Sequence, residues 1–381
     1  MNKHSDTFCV NPWITLHHRS DIGLSPCCLW KGKTYQGTVA EYIHSDILFE
    51  TKKKLMDNVQ IESCSTCWQQ ESQGQISKRM RDNKTYNIAW QLLHSKEPFQ
   101  PNDKFVEYYL RLGNHCNLRC TTCGENLSTG WISENKKFGL PTKSSWLIDQ
   151  HDPVWQHVKD NAKWVRAIEF IGGEPFMMLI NKQQDLLTHL IDNNYNNKIT
   201  LKYNTNGTRF PHDLVQYWKS FKKIELNISI DGVGDQFHYL RYPGIWSETH
   251  ENLKKYQDLS KELPNLELTM VCTISVFNLG YIQRIIDLES DIGIKIFFNI
   301  LNRPAIFDVF QAPRLVRNWI YDQIEGINNL EIRSIADNLK KIDHDINISR
   351  QFLDRCQVLD QRRDLNLGKT FPEIYQLMND Q

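Results

Sequence analysis

The stretch Leu112-Gly113-Asn114-His115-Cys116-Asn117-Leu118-Arg119-Cys120-Thr121-Thr122-Cys123-Gly124 follows an apolar run, Val106–Leu112, that reads as a strand. It puts three cysteines into eight residues of loop sequence, which is poor material for a buried core. Soft sulfur ligands suit iron–sulfur chemistry. Three thiolates can hold three irons of a [4Fe-4S] cube and leave the fourth iron open for a substrate or cofactor. An electron-transfer ferredoxin would want a fourth thiolate nearby, and this loop lacks one.

Outward from this loop the chain alternates between strand and helix patterns. Candidate strands are Val106–Leu112, Val165–Ile171, Ile199–Asn204, Lys223–Ile230, Leu266–Ser275 and Ile294–Leu301. Helical periodicity fills Lys182–Asp192, Pro211–Ser220, Glu248–Leu259 and Ile282–Leu288 between them. Such a pattern predicts an α/β parallel sheet with right-handed crossovers and its working loops at the strand C-termini. Gly172-Gly173-Glu174-Pro175, Asn204-Thr205-Asn206-Gly207 and Asn227-Ile228-Ser229-Ile230-Asp231-Gly232 all fall at such ends. In the last of these, alternation gives Asn227, Ser229 and Asp231 one face, and polar groups inside a sheet need partners.

The CxxxCxxC spacing, followed by Gly172–Pro175, resembles the radical S-adenosylmethionine (SAM) superfamily. The resemblance implies a partial (β/α)6 barrel of the TIM type. It implies that Cys116, Cys120 and Cys123 ligate a [4Fe-4S] cluster whose open iron is chelated by SAM. Reduction would then yield a 5'-deoxyadenosyl radical that abstracts hydrogen from a substrate. By the same resemblance Gly172, Gly173, Glu174 and Pro175 meet the SAM ammonium. Asn204, Asn206 and Ser229 meet other parts of SAM, Arg241 its carboxylate, and Asp231 stands towards the substrate. Asn299 is a further candidate of this type.

Residues 1–70 differ in character, with short polar segments, turn signals at Pro12, Gly23, Pro26 and Gly32, and cysteines towards both ends. A segment with so little apolar mass benefits from a metal to fold around. Cys9, Cys27, Cys64 and Cys67 suffice for a second, closed [4Fe-4S] cluster or for zinc. Cys28 adjoins Cys27, and neighbouring side chains in extended backbone point oppositely, so one of the pair ligates. The Pro-Trp, Pro-Cys-Cys and Cys-x-x-Cys-x-x-x-Glu-x-x-Gly-x-x-Ser-x-Arg pattern resembles the auxiliary-cluster module called SPASM or, when shortened, twitch. That resemblance favours iron–sulfur over zinc and Cys27 over Cys28. The module normally follows the barrel, and here it precedes it. The expected organisation is an auxiliary domain over 1–80, a linker over 81–104, the barrel over 105–305 and a helical region over 306–381. Helices are expected there at Ala312–Ile324, Glu331–Ile342 and Ile348–Leu359.

Forty-five basic and forty-five acidic residues cancel, which argues against a polyanion binder such as an RNA-modifying enzyme. No charged leader precedes an apolar segment and no run approaches bilayer length, so a cytoplasmic, non-membrane protein is expected. The expected partners are a peptide or small-molecule substrate and a reductant such as flavodoxin or ferredoxin. Modification of a ribosomally made peptide or protein side chain is the preferred reading, with a free amino acid, sugar or nucleotide derivative as its rival. A cluster-binding scaffold or electron carrier is the non-enzymatic alternative, and an open iron beside a SAM motif argues against it.

Overall fold

The computed structural model describes residues 5–19, 21–72, 76–86, 104–343 and 348–380. Gly74 of the auxiliary motif and residues 87–103 of the expected linker lie outside this set. The chain divides into two compact units. Unit one comprises Met1–Asn114, Ser145–Tyr203 and His212–Ile224, and unit two His115–Ser144, Asn204–Pro211 and Glu225–Gln381.

In unit one the strands are β1 (Thr15–Arg19), β2 (Gly23–Ser25), β3 (Glu107–Arg111), β4 (Ala167–Ile171) and β5 (Thr200–Thr205, as far as Tyr203), in the spatial order β2-β1-β3-β4-β5. The last three match the sequence expectation. Strand β1 does not: the polar N-terminal segment supplies a strand parallel to β3, with Thr15 opposite Glu107 and Arg19 opposite Arg111. Its register continues across β4, where Glu107 faces Ala167 and Arg111 faces Ile171. Strand β2 returns antiparallel on the outer side of β1. A β-hairpin followed by a long excursion thus joins the N-terminal segment to the same sheet, a pairing that local propensity does not encode. Apolar Phe8, Val10, Trp13 and Ile14 form a small core of their own just before β1.

Unit two holds β6 (Lys223–Ser229) from Glu225 onward, β7 (Leu266–Ile274) and β8 (Ile296–Ile300), with β7 and β8 parallel. Along β6, Ile224, Leu226 and Ile228 are fully buried while Glu225, Asn227 and Ser229 are half-buried, the alternation read from the sequence. The C-terminal helices are Arg314–Ile324, Leu330–Lys340 and Ser349–Arg363, followed by two short ones, Leu367–Thr370 and Pro372–Asn379, that the sequence pattern had not marked. They close a core in which Phe277 contacts Phe307, Phe352 and Phe371 at ring separations of 5.0, 5.1 and 5.6 Å. Aromatic pairs at these distances add to the burial term. Among the described residues no helix is long and apolar enough to cross a membrane.

Candidate active site

The cysteine loop in unit two is held as a third edge against the segment 239–242. Arg119 donates its backbone N–H to the Tyr242 carbonyl (2.7 Å), Thr121 donates to the Leu240 carbonyl (2.8 Å), and the Thr121 hydroxyl donates to the Tyr239 carbonyl (2.8 Å). Cys120 is half-buried. Burial pushes its thiol well above the usual range; Arg241 opposes this, and nearby Cys123 and Cys116 add to it. The three thiols therefore share one electrostatic neighbourhood beside a buried cation. Cys116 takes two donors, the backbone N–H of Leu118 (3.4 Å) and the Asn206 side-chain amide (3.7 Å).

Asn206 is fixed for that task. Its amide also donates to Asn117 Oδ1 (2.9 Å), and its own carbonyl accepts from the Thr208 backbone (2.9 Å) and hydroxyl (2.6 Å). Asn204 accepts from the Asn227 amide (2.9 Å). Ser229 ends β6 half-buried, and Asn299 is exposed on β8 opposite Thr273. Arg241 and Asp231 form a buried ion pair at 2.8 Å, and Asp231 also accepts from the Thr273 backbone (2.8 Å). Both residues thus have protein partners of their own. The Arg241 Nε, buried, has no hydrogen bond.

Gly172–Pro175 ends β4 in unit one. Gly172 has φ +142°, and a β-carbon there would lie 2.6 Å from the Gly113 carbonyl oxygen, so only glycine fits. Gly173 donates to that same carbonyl (2.9 Å). Glu174 is fully buried, and its carboxylate accepts from the Phe176 backbone (3.2 Å), making a turn into the short helix Pro175–Met177.

The four N-terminal cysteines converge. Cys9, Cys27, Cys64 and Cys67 line one cavity in unit one, together with Pro26, Trp30 and Arg79. Cys28 does not line it; contact with Cys27 and burial hold its thiol well above the usual range. Burial, together with Cys67, pushes Cys64 up to about 12. Arg79 braces the wall, pairing with Glu71 and donating to the Phe8 carbonyl at 2.7 Å. Four soft donors facing an enclosed, largely apolar space suit an iron–sulfur group. Among the described residues no three of His, Cys, Asp and Glu stand close enough to hold a single metal ion. A four-iron cube is held by thiolates on different irons, so its ligands need not converge on one point.

Sequence reading missed two features of these sites. One is the contact of Asn206 with Cys116, whose only signal was the paired asparagines of Asn204-Thr205-Asn206. The other is an ionic clamp on the cysteine loop. Glu134, on the helix Thr129–Lys137, lies 2.8 Å from Arg119 within the motif and 3.0 Å from Arg363. Nothing local marks a partner 229 residues away.

No curated protein matches the chain by sequence. Similar solved structures include native anSMEcpe with bound AdoMet (16% identity, 66% of this chain and 67% of that one, TM-score 0.44). Streptococcus suis SuiB bound to S-adenosylmethionine is another (13% identity, 75% and 59%, TM-score 0.39). A third is the radical S-adenosylmethionine methyltransferase TsrM from Kitasatospora setae with cobalamin and a [4Fe-4S] cluster bound (12% identity, 52% and 34%, TM-score 0.36). Likeness at this level assigns neither substrate nor residue roles. Residues 110–287, which contain the end of β3, the cysteine loop, the Gly-Gly-Glu-Pro turn and the whole of β4 to β7, match the family model of the Radical SAM superfamily. The chain therefore carries a radical SAM catalytic domain of α/β type, and the presence of that domain supports enzymatic radical SAM activity.

Proposed function

We propose that the protein is a radical SAM enzyme with two [4Fe-4S] clusters that modifies an amino-acid residue of a ribosomally made peptide or protein. The observation that carries the reading is the Cys116/Cys120/Cys123 loop, with Asn206 bonded to one thiol and Arg241 beside another. When bound, the open cube and SAM supply a 5'-deoxyadenosyl radical able to abstract hydrogen. The protein's share is to hold the loop rigid, keep Arg241 beside Cys120 and keep fixed donors on Cys116. Glu174, buried at the end of β4, is assigned to the SAM ammonium, and Gly172 and Gly173 give the backbone its close approach. Asn204, Ser229 and Asn299 are assigned to the remaining polar groups of SAM or substrate.

The second cluster is assigned to Cys9, Cys27, Cys64 and Cys67, with a flavodoxin or ferredoxin as the source of electrons. Support comes from their common cavity and from the exclusion of Cys28 from its lining. Cross-linking, epimerisation and oxidation of a side chain all begin from the same hydrogen abstraction.

The test is anaerobic reconstitution followed by iron and sulfide analysis and chromatography of SAM products. About eight iron per chain, with 5'-deoxyadenosine and methionine formed under dithionite, is the expected result. Four iron with stoichiometric zinc would remove the auxiliary cluster. A full cube without deoxyadenosine would leave only a scaffold or electron carrier. Deuterium transfer into deoxyadenosine from a free metabolite, and from no encoded peptide, would replace the peptide by a small molecule.

A further inference from the structure

The register of β1, β3 and β4 lines up three rows on one face of the unit-one sheet. Thr15, Glu107 and Ala167 form the first, His17, Tyr109 and Glu169 the second, Arg19, Arg111 and Ile171 the third. In the two rows below the last, lysines serve Tyr109 and Glu107. Lys78 donates to the Tyr109 hydroxyl (2.6 Å) and pairs with Asp82 (2.7 Å), while Lys202 pairs with Glu107 (3.0 Å).

The third row, at the strand C-termini, is different. Arg19 is paired with Asp21 at 2.6 Å, but Arg111 has no ion pair or hydrogen bond among the described residues, and its Nε is buried and unpartnered. Burial and the neighbouring Arg19 cation push the Arg111 guanidinium down to about 10, with Cys28 and the Asp21 and Glu169 carboxylates opposing them from further off. Arg19 has its own carboxylate in Asp21, whereas Arg111, half-buried, has no directly bonded anion.

One row down on β1, diagonal to Arg111, stands His17, 5% exposed. Its Nδ1 lies 2.9 Å from the Ser25 hydroxyl, and that hydroxyl donates to the Cys27 carbonyl (3.2 Å). The single hydroxyl proton is thereby committed, so Nδ1–H donates to Ser25 and Nε2 carries a lone pair. Nε2 is buried and has no partner. Burial, reinforced by Arg111 and Arg19, pushes the ring down to about 3, so it is neutral and an acceptor.

We propose that Arg111 and His17 together bind an α-carboxylate whose α-nitrogen carries a hydrogen, Arg111 taking the carboxylate and His17 Nε2 accepting the N–H. Water could serve His17, but it does not neutralise a desolvated guanidinium beside a second cation. The end of a row of parallel strands is also where this class of sheet takes its ligands. A free amino acid and the C-terminal residue of a peptide share this chemistry. The inference deepens the proposed function and rests on it only in calling the ligand a substrate.

The test uses the full chain, reconstituted without oxygen, and phenylglyoxal labelling of each arginine read by mass spectrometry. Glycine, N-acetylglycine and N-acetylglycinamide are the probes. Labelling of Arg111 is expected to be suppressed on the order of tenfold by saturating acid and to be unaffected by the amide. Stronger protection by glycine identifies a free amino acid, and stronger protection by N-acetylglycine a peptide C-terminus. Equal labelling with and without both acids overturns the site. N-acetyl-N-methylglycine, which lacks the N–H, should bind roughly three- to tenfold more weakly than N-acetylglycine; equal binding would remove His17 from it. Labelling requires no SAM cleavage, so a protected Arg111 in a protein that forms no deoxyadenosine would retain the site and lose only the radical reading.

Discussion

Glu134 is bound from two sides, by Arg119 of the cysteine loop at 2.8 Å and by Arg363 at the end of the helix Ser349–Arg363 at 3.0 Å. The Arg363 side chain is wholly buried, with its guanidinium 4.5 Å above the Trp131 ring. The C-terminal helix thus reaches into the motif that carries the thiols.

Removing Glu134 leaves Arg363 buried and uncompensated. Glu134→Ala should destabilise the protein by about 3–5 kcal/mol, the usual result of breaking a buried pair from one side. Denaturant unfolding of the cluster-free protein measures this directly. Arg350→Ala, which breaks only an exposed ion pair at 3.9 Å, should leave the midpoint unchanged.

Asn206 donates to Cys116 and should tune the cluster rather than build it. Asn206→Ala is expected to retain full iron content. Loss of one neutral hydrogen bond of about 0.5–1.5 kcal/mol corresponds to a shift of roughly 20–60 mV in a one-electron couple. The direction is negative, because the donor favours the more electron-rich cluster. Redox titration monitored by electron paramagnetic resonance would show it, and an unmoved potential would reduce Asn206 to a loop anchor.

Glu174→Ala should weaken SAM binding by roughly 1.5–3 kcal/mol, the range for one charge-assisted hydrogen bond. Iron content should not change. Equilibrium dialysis with labelled SAM on the reconstituted protein separates the two effects. Unchanged affinity would confine Glu174 to its turn with Phe176.

Burial opposes ionisation of Glu107, but Lys78 and Lys202 more than offset it and hold the carboxyl below its ordinary 4.5. A depressed acid contributes stability that is present above its unfolded value and is lost as pH falls through its folded value. Glu107→Gln should therefore flatten the acid limb of the stability profile below about pH 4.5, while losing stability at neutral pH. Thermal midpoints taken between pH 3 and pH 8 would test both halves.

The β3 to β8 strands and the loops at their ends were legible because hydrophobic alternation and turn residues are local signals. Ile224, Leu226 and Ile228 bury on one side of β6 as their spacing requires. The convergence of Cys9, Cys27, Cys64 and Cys67 was legible as chemistry, though not as geometry. What escaped were long-range pairings: Thr15–Arg19 against β3, and Glu134 with Arg363. Thr15-Leu16-His17-His18-Arg19 contains a single strongly apolar residue, so nothing in it announces a strand until β3 is beside it. Arg241 and Asp231 were assigned to SAM and substrate by family resemblance; in the structure they also form an ion pair with each other at 2.8 Å, which no local signal announced.

The parallel seating of β1 on β3 bears on how such a chain can be divided. Without its first two strands, β3 would present a bare row of amide and carbonyl groups along the Glu107–Arg111 backbone. An open edge of that kind templates association between molecules. A fragment that begins at the radical SAM domain would therefore not be a smaller enzyme but an unguarded sheet. A circular permutant that separates β1 from β3 is the sharper instrument than truncation for asking what the segment contributes.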